Sequence, residues 1–413
     1  MCNIKPGWRV RPGPRMRWTA IAFTAVVGIA AGGEIALDAS ALPDRSPGPR
    51  VDTPYVVIGY NDLGMHCMNG DFSELIILPP FNTLHAQLIR RGTSPDIERS
   101  AGDFQIRYWT PGNTHSADKT NYWAFQPPEF GAPRPPDVGL TGSKLSGTMT
   151  PTPSGDWSVT GIPIVPMDDS GVENPYPLAS IEVTRRDSGV VVARTQAVVP
   201  VSSEISCNLC HNTPGMSPEH DILLAHDRLH GTSLVNQKPV LCAGCHGSAA
   251  LGLPGQPELR QMSTAMHASH ASRMDAISLP EKCYACHPGV RTQCQRDLHF
   301  AAGVGCTQCH GDMAAVGSPK RQPWIDEPRC SDCHVRQGFQ FEQPGTLYRN
   351  SVGHGGVKCA ACHGSPHAMG PAVTETDNVQ ANLLQGRAGV IDDCTVCHGA
   401  SGPPGQFFHS QDD

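Results

Sequence analysis

Cys207-Asn-Leu-Cys210-His211 is the first of seven pentapeptides that share one pattern. The others are Cys242-Ala-Gly-Cys245-His246, Cys283-Tyr-Ala-Cys286-His287, Cys306-Thr-Gln-Cys309-His310, Cys330-Ser-Asp-Cys333-His334, Cys359-Ala-Ala-Cys362-His363 and Cys394-Thr-Val-Cys397-His398. Two thiols three residues apart reach the two vinyl groups of one porphyrin as thioethers, and the adjacent His swings beneath the ring to ligate iron. Zinc sites also use Cys-x-x-Cys pairs, but tetrahedral zinc does not require a His directly after every pair. A thioredoxin-type motif is normally single and opens a helix beside a βαβ unit. Seven repeats of the full pattern therefore point to covalent haem c, with proximal ligands His211, His246, His287, His310, His334, His363 and His398.

Outward from the motifs, the chain changes character near residue 202. Residues 55–201 carry short β-type runs at 55–60, 104–109, 181–184 and 190–194, separated by Pro, Gly, Asn and Asp clusters. Regular short strands with turn signals predict an all-β, sandwich-like domain. Residues 202–413 lack such runs and are rich in Gly, Ala and His; short helices are expected at 218–230 and 258–274, with the haems organising the loops between them. The expected fold is thus two-domain: a sandwich-like all-β domain at 55–201, then a heptahaem domain at 202–413 of short helices and loops with little sheet.

The N-terminus places Lys5, Arg9, Arg11, Arg15 and Arg17 before an apolar run from Trp18 to about Gly33, then Ala39-Ser40-Ala41. That order is a secretory signal peptide, expected at 1–41, with a Pro-rich linker at 42–54. The apolar run is short for a membrane span of roughly 20 residues, so no span is expected after cleavage. Export suits 17 cysteines in 413 residues. A formal net charge of −7 argues against a nucleic-acid partner, which needs a basic face. Aromatic residues make up only 6% of the chain, and haems as large apolar bodies lessen the need for them in the core.

The motif half resembles the multihaem c-type cytochromes of bacterial respiratory and extracellular electron-transfer chains, over residues 207–409. The resemblance implies haem attachment outside the cytoplasm, anaerobic respiration, a periplasmic or extracellular location, and two His ligands on most irons. The partners it implies are a redox protein or quinone-linked donor and a downstream acceptor; assembly into an oligomer or filament stays open. Nine non-motif histidines in this half are candidate distal ligands: His220, His226, His230, His267, His270, His299, His354, His367 and His409. An internal repeat of motif, His, second motif and Gly spans 207–247, 283–311 and 330–364, with a cut-short fourth unit from 394. It predicts His230, His299, His354 and His409 for the first, third, fifth and seventh haems, although a ligand can reach across to another. The fourth haem lacks an obvious partner. His220, His226 or Met313 could serve it, or it could stay open.

Cys2 lies ahead of the apolar run, within the segment expected to be removed, so Cys67 and Cys294 are the cysteines left over in the mature chain. In an oxidising compartment they pair most simply as a disulfide. Alternatively, Met65-His66-Cys67-Met68 with His85 or His115 forms a soft-ligand cluster for copper or an open haem, and Cys294 could reach haem iron. The third reading makes Met65 and Met68 plain core. Two functions follow: electron transfer through seven haems, and, as the alternative, oxidation or reduction of a small nitrogen or sulfur compound at one open-coordination haem. Electron transfer is the expected role, with no catalytic residue assigned.

Overall fold

Two antiparallel sheets face each other across the first half of the chain. The computed structural model describes residues 53–399 and His409, so the signal segment expected at 1–41, Cys2 and the linker up to residue 52 lie outside the described residues. One sheet runs in the order Tyr55–Tyr60, Thr83–Arg90, Trp157–Thr160 and Thr150–Pro151, and Asp96–Glu98 also pairs with Thr83–Arg90. The other runs Val191–Val198, Leu178–Arg185, Phe104–Trp109 and Ser146–Thr148. Side chains alternate across Phe104–Trp109, so Phe104, Ile106 and Tyr108 turn inward and meet Val57, Leu84 and Leu88 of the facing sheet in one core.

Tyr55–Tyr60 does not alternate: every residue after Tyr55 is buried. Val57 faces the core between the sheets, while Val56, Ile58 and Tyr60 pack against Ala360, Ala361, Leu384 and Val396 from the motif half. A strand covered on both faces reads as a continuous apolar run. Gly59 permits this packing, because a Cβ there would lie 2.5 Å from Ile181 Cδ1. Its backbone is also clasped by one side chain: Gly59 N donates to Gln380 Oε1 (2.7 Å) and Gln380 Nε2 donates to Gly59 O (2.8 Å).

Further ties cross residue 202. Val201–Ser202 pairs in parallel with His66–Cys67, and Val240–Leu241 with Leu75–Ile76. The buried Glu204 carboxylate accepts from Val290 N, Arg291 N and Thr292 N; these bonds overcome the effect of burial and hold its pKa below the usual carboxylate value. The described residues all fall in one compact unit, 47–413.

Among the described residues the motif half holds two helices of more than two turns, α1 (Pro218–His230) and α2 (Met262–His270), among short turns. Ser217 caps α1 by accepting from His220 N, and Gly231 ends it in the left-handed region. The helix expected over 258–274 starts later, at Met262, because residues 256–262 fold back on the second motif: Gln256 N donates to Cys245 O, Met262 N to Gly247 O, and the Arg260 carbonyl lies 2.9 Å from His246 Nδ1. Among the described residues no helix is long and apolar enough to cross a membrane.

One buried ion cluster sets a pH dependence. His85 Nδ1 and the Tyr60 hydroxyl both lie 2.9 Å from Asp156 Oδ2, and His85 Nε2 is 3.5 Å from Asp62 Oδ2. Burial opposes charge on His85, but the two carboxylates outweigh it and raise the pKa from 6.5 to about 9. The stabilisation is therefore complete below about pH 6.5 and lost as pH rises through about 9. Asp156 is held below its ordinary value by bonds from His85, Thr152 and Ser154 that overcome burial, so acid loss sets in only below about pH 3.8. His85→Gln is expected to cost on the order of 2 kcal/mol near pH 6 and to flatten the alkaline decline; urea midpoints at both ends of that range check it.

Candidate haem sites

Each motif forms one tight turn. The His N donates to the first Cys O in the motifs ending at His211, His246, His287, His334 and His398, at 2.8–2.9 Å, and the motifs at Cys306–His310 and Cys359–His363 are single α-turns. A turn of this kind puts both sulfurs and the imidazole on one side of the backbone.

Opposite the motif histidines stand other histidines. Ring centroids are 6.4 Å apart for His246 and His226, 5.9 Å for His287 and His267, and 6.0 Å for His310 and His367. They are 6.1 Å apart for His334 and His299, 5.7 Å for His363 and His409, and 6.0 Å for His398 and His354. Two metal–nitrogen bonds of about 2 Å, each extended by roughly 1 Å to the ring centre, separate axial imidazole centroids by roughly 6 Å. His211 has His270 close enough for its charge to oppose protonation. These spacings fit an iron held between paired imidazoles.

The tautomers fit as well. Nδ1 is engaged in six of the non-motif rings, by Thr232 Oγ1 for His226 (2.9 Å), Ser263 O for His267 (2.7 Å) and Met266 O for His270 (2.8 Å). Asp297 Oδ2 holds His299 (2.9 Å), Gln340 O holds His409 (2.9 Å) and Cys294 Sγ holds His367 (3.7 Å). Occupying Nδ1 leaves Nε2 as the metal-binding atom, the arrangement that fixes ligand orientation at metal sites. Metal ligation also needs neutral imidazoles. Burial, with neighbouring histidines, pushes the pKa values of His287 and His310 down to about 4. Both keep accessible ring surface although protein atoms crowd them, as side chains lining an internal gap do.

The pairing departs from the repeat-based expectation. His299 faces the fifth motif, His354 the seventh and His409 the sixth, so each of these rings stands at a motif other than the one its spacing assigns it. His230 stands beside His226, 4.7 Å away, and His220 lies against Glu74 and Lys238. At the fourth motif, for which His220, His226, Met313 or an open face are the expectations, the facing ring is His367, which comes from beyond the sixth, while Met313 opens a one-turn helix. Linear spacing gave no signal for that reach, nor for Asp297 and Cys294 as partners of ligand rings.

Cys67 and Cys294, the pair expected as a disulfide, are unbonded here but near enough for the charge of Cys294 to act on Cys67, and Cys294 turns toward His367. Nor do the soft ligands gather. Met65 and Met68 are buried core, and His66 is buried with Nε2 2.8 Å from Pro79 O. His85 belongs to Asp156 and Asp62, and His115 lies between Asp118 and Asp169.

Thiols of different motifs are also neighbours. Cys242 feels the charge of Cys207, and Cys207 and Cys210 act with Cys286. Cys283 and Cys306 come closest, their sulfurs within 4.8 Å together with a Glu281 oxygen. Cys309 then feels the charge of Cys333, Cys330 that of Cys359, and Cys362 that of Cys397. By these charge interactions the motifs follow the order second, first, third, fourth, fifth, sixth, seventh.

Residues 313–364 match the sequence family described as cytochrome c554 and c-prime. The segment contains the fifth and sixth motifs. The chain resembles the multihaem c-type cytochromes. At that level haem c, metal binding and electron transfer are supported. Among solved structures, MtrC from Shewanella baltica OS185 is 14% identical over 60% of this chain and 38% of that one, with a TM-score of 0.12, a likeness that carries no argument. The chain thus spans well under half the length of that protein. No curated protein matches the chain.

Proposed function

We propose that this protein is an exported electron conduit built on seven covalent c-type haems, each iron held by two histidines. The observation that carries the reading is the set of six motif histidines whose rings face a non-motif ring at 5.7–6.4 Å. The cysteines of each motif tether one haem. The pairs that would hold the irons are His211 with His270, His246 with His226, His287 with His267, His310 with His367, His334 with His299, His363 with His409, and His398 with His354. Haem c, when bound, supplies one-electron exchange at iron, and two neutral imidazoles favour the ferric state over a His and Met pair.

The neighbouring thiols leave the second and seventh motifs at the ends of the series, where a redox protein or quinone-linked donor and a downstream acceptor would meet the protein. The two sheets brace this series through the shared core on Tyr55–Tyr60. His367 opposite His310 speaks against an open iron at the fourth motif, and so against the oxidoreductase alternative. Periplasmic or extracellular placement rests on the signal segment read at 1–41.

The test is the intact mass and the paramagnetic resonance spectrum of the oxidised holoprotein. Seven added haems, all low-spin, are expected. A smaller number of haems, or a high-spin signal in the unmodified protein, would count against full bis-His ligation.

A further inference from the structure

We propose that Cys294, a cysteine outside every haem motif, is the positioning residue of the fourth haem: its sulfur accepts the Nδ1 proton of His367 and holds Nε2 toward His310. The inference rests on the proposed ligation of the fourth iron by His310 and His367. Cys294 Sγ lies 3.7 Å from His367 Nδ1, within the range of a sulfur hydrogen bond. With Nε2 committed to iron, Nδ1 carries the proton and the sulfur is the acceptor. The other non-motif rings that stand at motifs one, two, three, five and six are held at Nδ1 by oxygen. In the order of neighbouring thiols the fourth motif is the middle one, so its affinity for an electron bears on passage in both directions.

The surrounding structure holds this contact in place. His367 sits at φ +62°, a left-handed conformation that is uncommon for residues other than Gly and that persists where neighbours over-determine it. Arg296 N donates to His367 O at 2.7 Å, and Arg296 Nη1 donates to Cys294 O at 2.9 Å and to Gly64 O at 3.0 Å. Gly64 closes the arrangement from the β half: a Cβ there would lie 2.1 Å from Pro366 O. The sequence 59–68, with no part in tethering haem, thus packs against the segment that presents His367.

Removing an acceptor from a ligand imidazole makes it a poorer donor to iron and loosens its orientation. In the holoprotein, Cys294→Ala is expected to raise the midpoint potential of one haem of the seven and leave six unchanged. It should also let added imidazole or cyanide displace His367 about 10- to 100-fold more readily, by analogy with lost partners of metal ligands. Cys294→Ser, which keeps a hydrogen-bond acceptor, should restore most of both effects, and that rescue separates positioning from plain packing. Spectroelectrochemistry and ligand titration of the three proteins, each with its full haem complement verified by mass, give the readout. Unchanged potential and ligand affinity in Cys294→Ala would overturn the proposal, as would a Cys67–Cys294 disulfide found by peptide mapping of the native protein. His367→Ala tests the underlying ligation separately: a new high-spin signal from one haem supports it, and seven unchanged low-spin haems would overturn it.

Discussion

Arg296→Ala is expected to lower the unfolding free energy by about 3–5 kcal/mol, the range for breaking a buried ion pair from one side. Arg296 is fully buried and Asp377 is 6% exposed. Their contact is bidentate, Nε to Oδ2 at 2.7 Å and Nη2 to Oδ1 at 2.9 Å, and the guanidinium lies 4.9 Å from the Tyr176 ring centre. Truncation strands a carboxylate and leaves the Gly64 and Cys294 carbonyls without this donor. Lys at 296 would restore the charge but not the planar fork, so it should recover only part of the loss. Arg185→Ala, which removes an exposed, solvent-screened pair with Asp187, is the control and should leave the denaturation midpoint nearly unchanged. Chemical denaturation of the holoproteins, followed by far-ultraviolet circular dichroism, measures all three; a loss at Arg296 no larger than at Arg185 would refute the expectation.

Local chemistry was legible in the sequence, and long-range partnership was not. The runs at 55–60 and 104–109 lie on strands of the same extent, and α1 occupies 218–230, because turn residues and caps are encoded within a few positions of each element. The haem motif is equally local, five residues closing one turn. Distal ligands are a different kind of information. His299, His354 and His409 lie close in sequence to one motif but face another, since packing decides which gap each ring enters. His226 and His230 stand on one face of α1, and nothing in their spacing says that the earlier one meets His246. His367 is the extreme case. Its position depends on Arg296, Gly64 and a left-handed backbone, none of which could be linked to it from sequence. The double burial of Tyr55–Tyr60 was hidden for the same reason: its second face is covered largely by residues about 300 positions or more away.

On the proposed binding of seven bis-His haems, His267→Ala and His270→Ala should each convert one haem from low-spin to high-spin, and the double variant should convert two. The two rings leave the same helix three residues apart, which places them on neighbouring parts of one face of α2. Each is fixed by a bond back to the carbonyl four residues earlier, Ser263 O for His267 and Met266 O for His270, so both present Nε2 outward. Yet they serve different motifs, His267 facing His287 and His270 acting on His211. The thiols of Cys286 and Cys207 are neighbours too, so α2 fixes the spacing of the first and third sites from the ligand side as the cysteines do from the tether side. Ala is a strong helix former, so α2 should survive and the haem complement should stay at seven, since the cysteines are untouched. Losing one imidazole leaves five ligands on the affected iron, and its potential should rise because ferric iron loses a donor. Paramagnetic resonance and visible spectra of the oxidised proteins measure the spin states. If His270→Ala leaves every haem low-spin while His267→Ala does not, His211 takes its partner from elsewhere, and His230, the last residue of α1 and beside His226, becomes the residue to replace next.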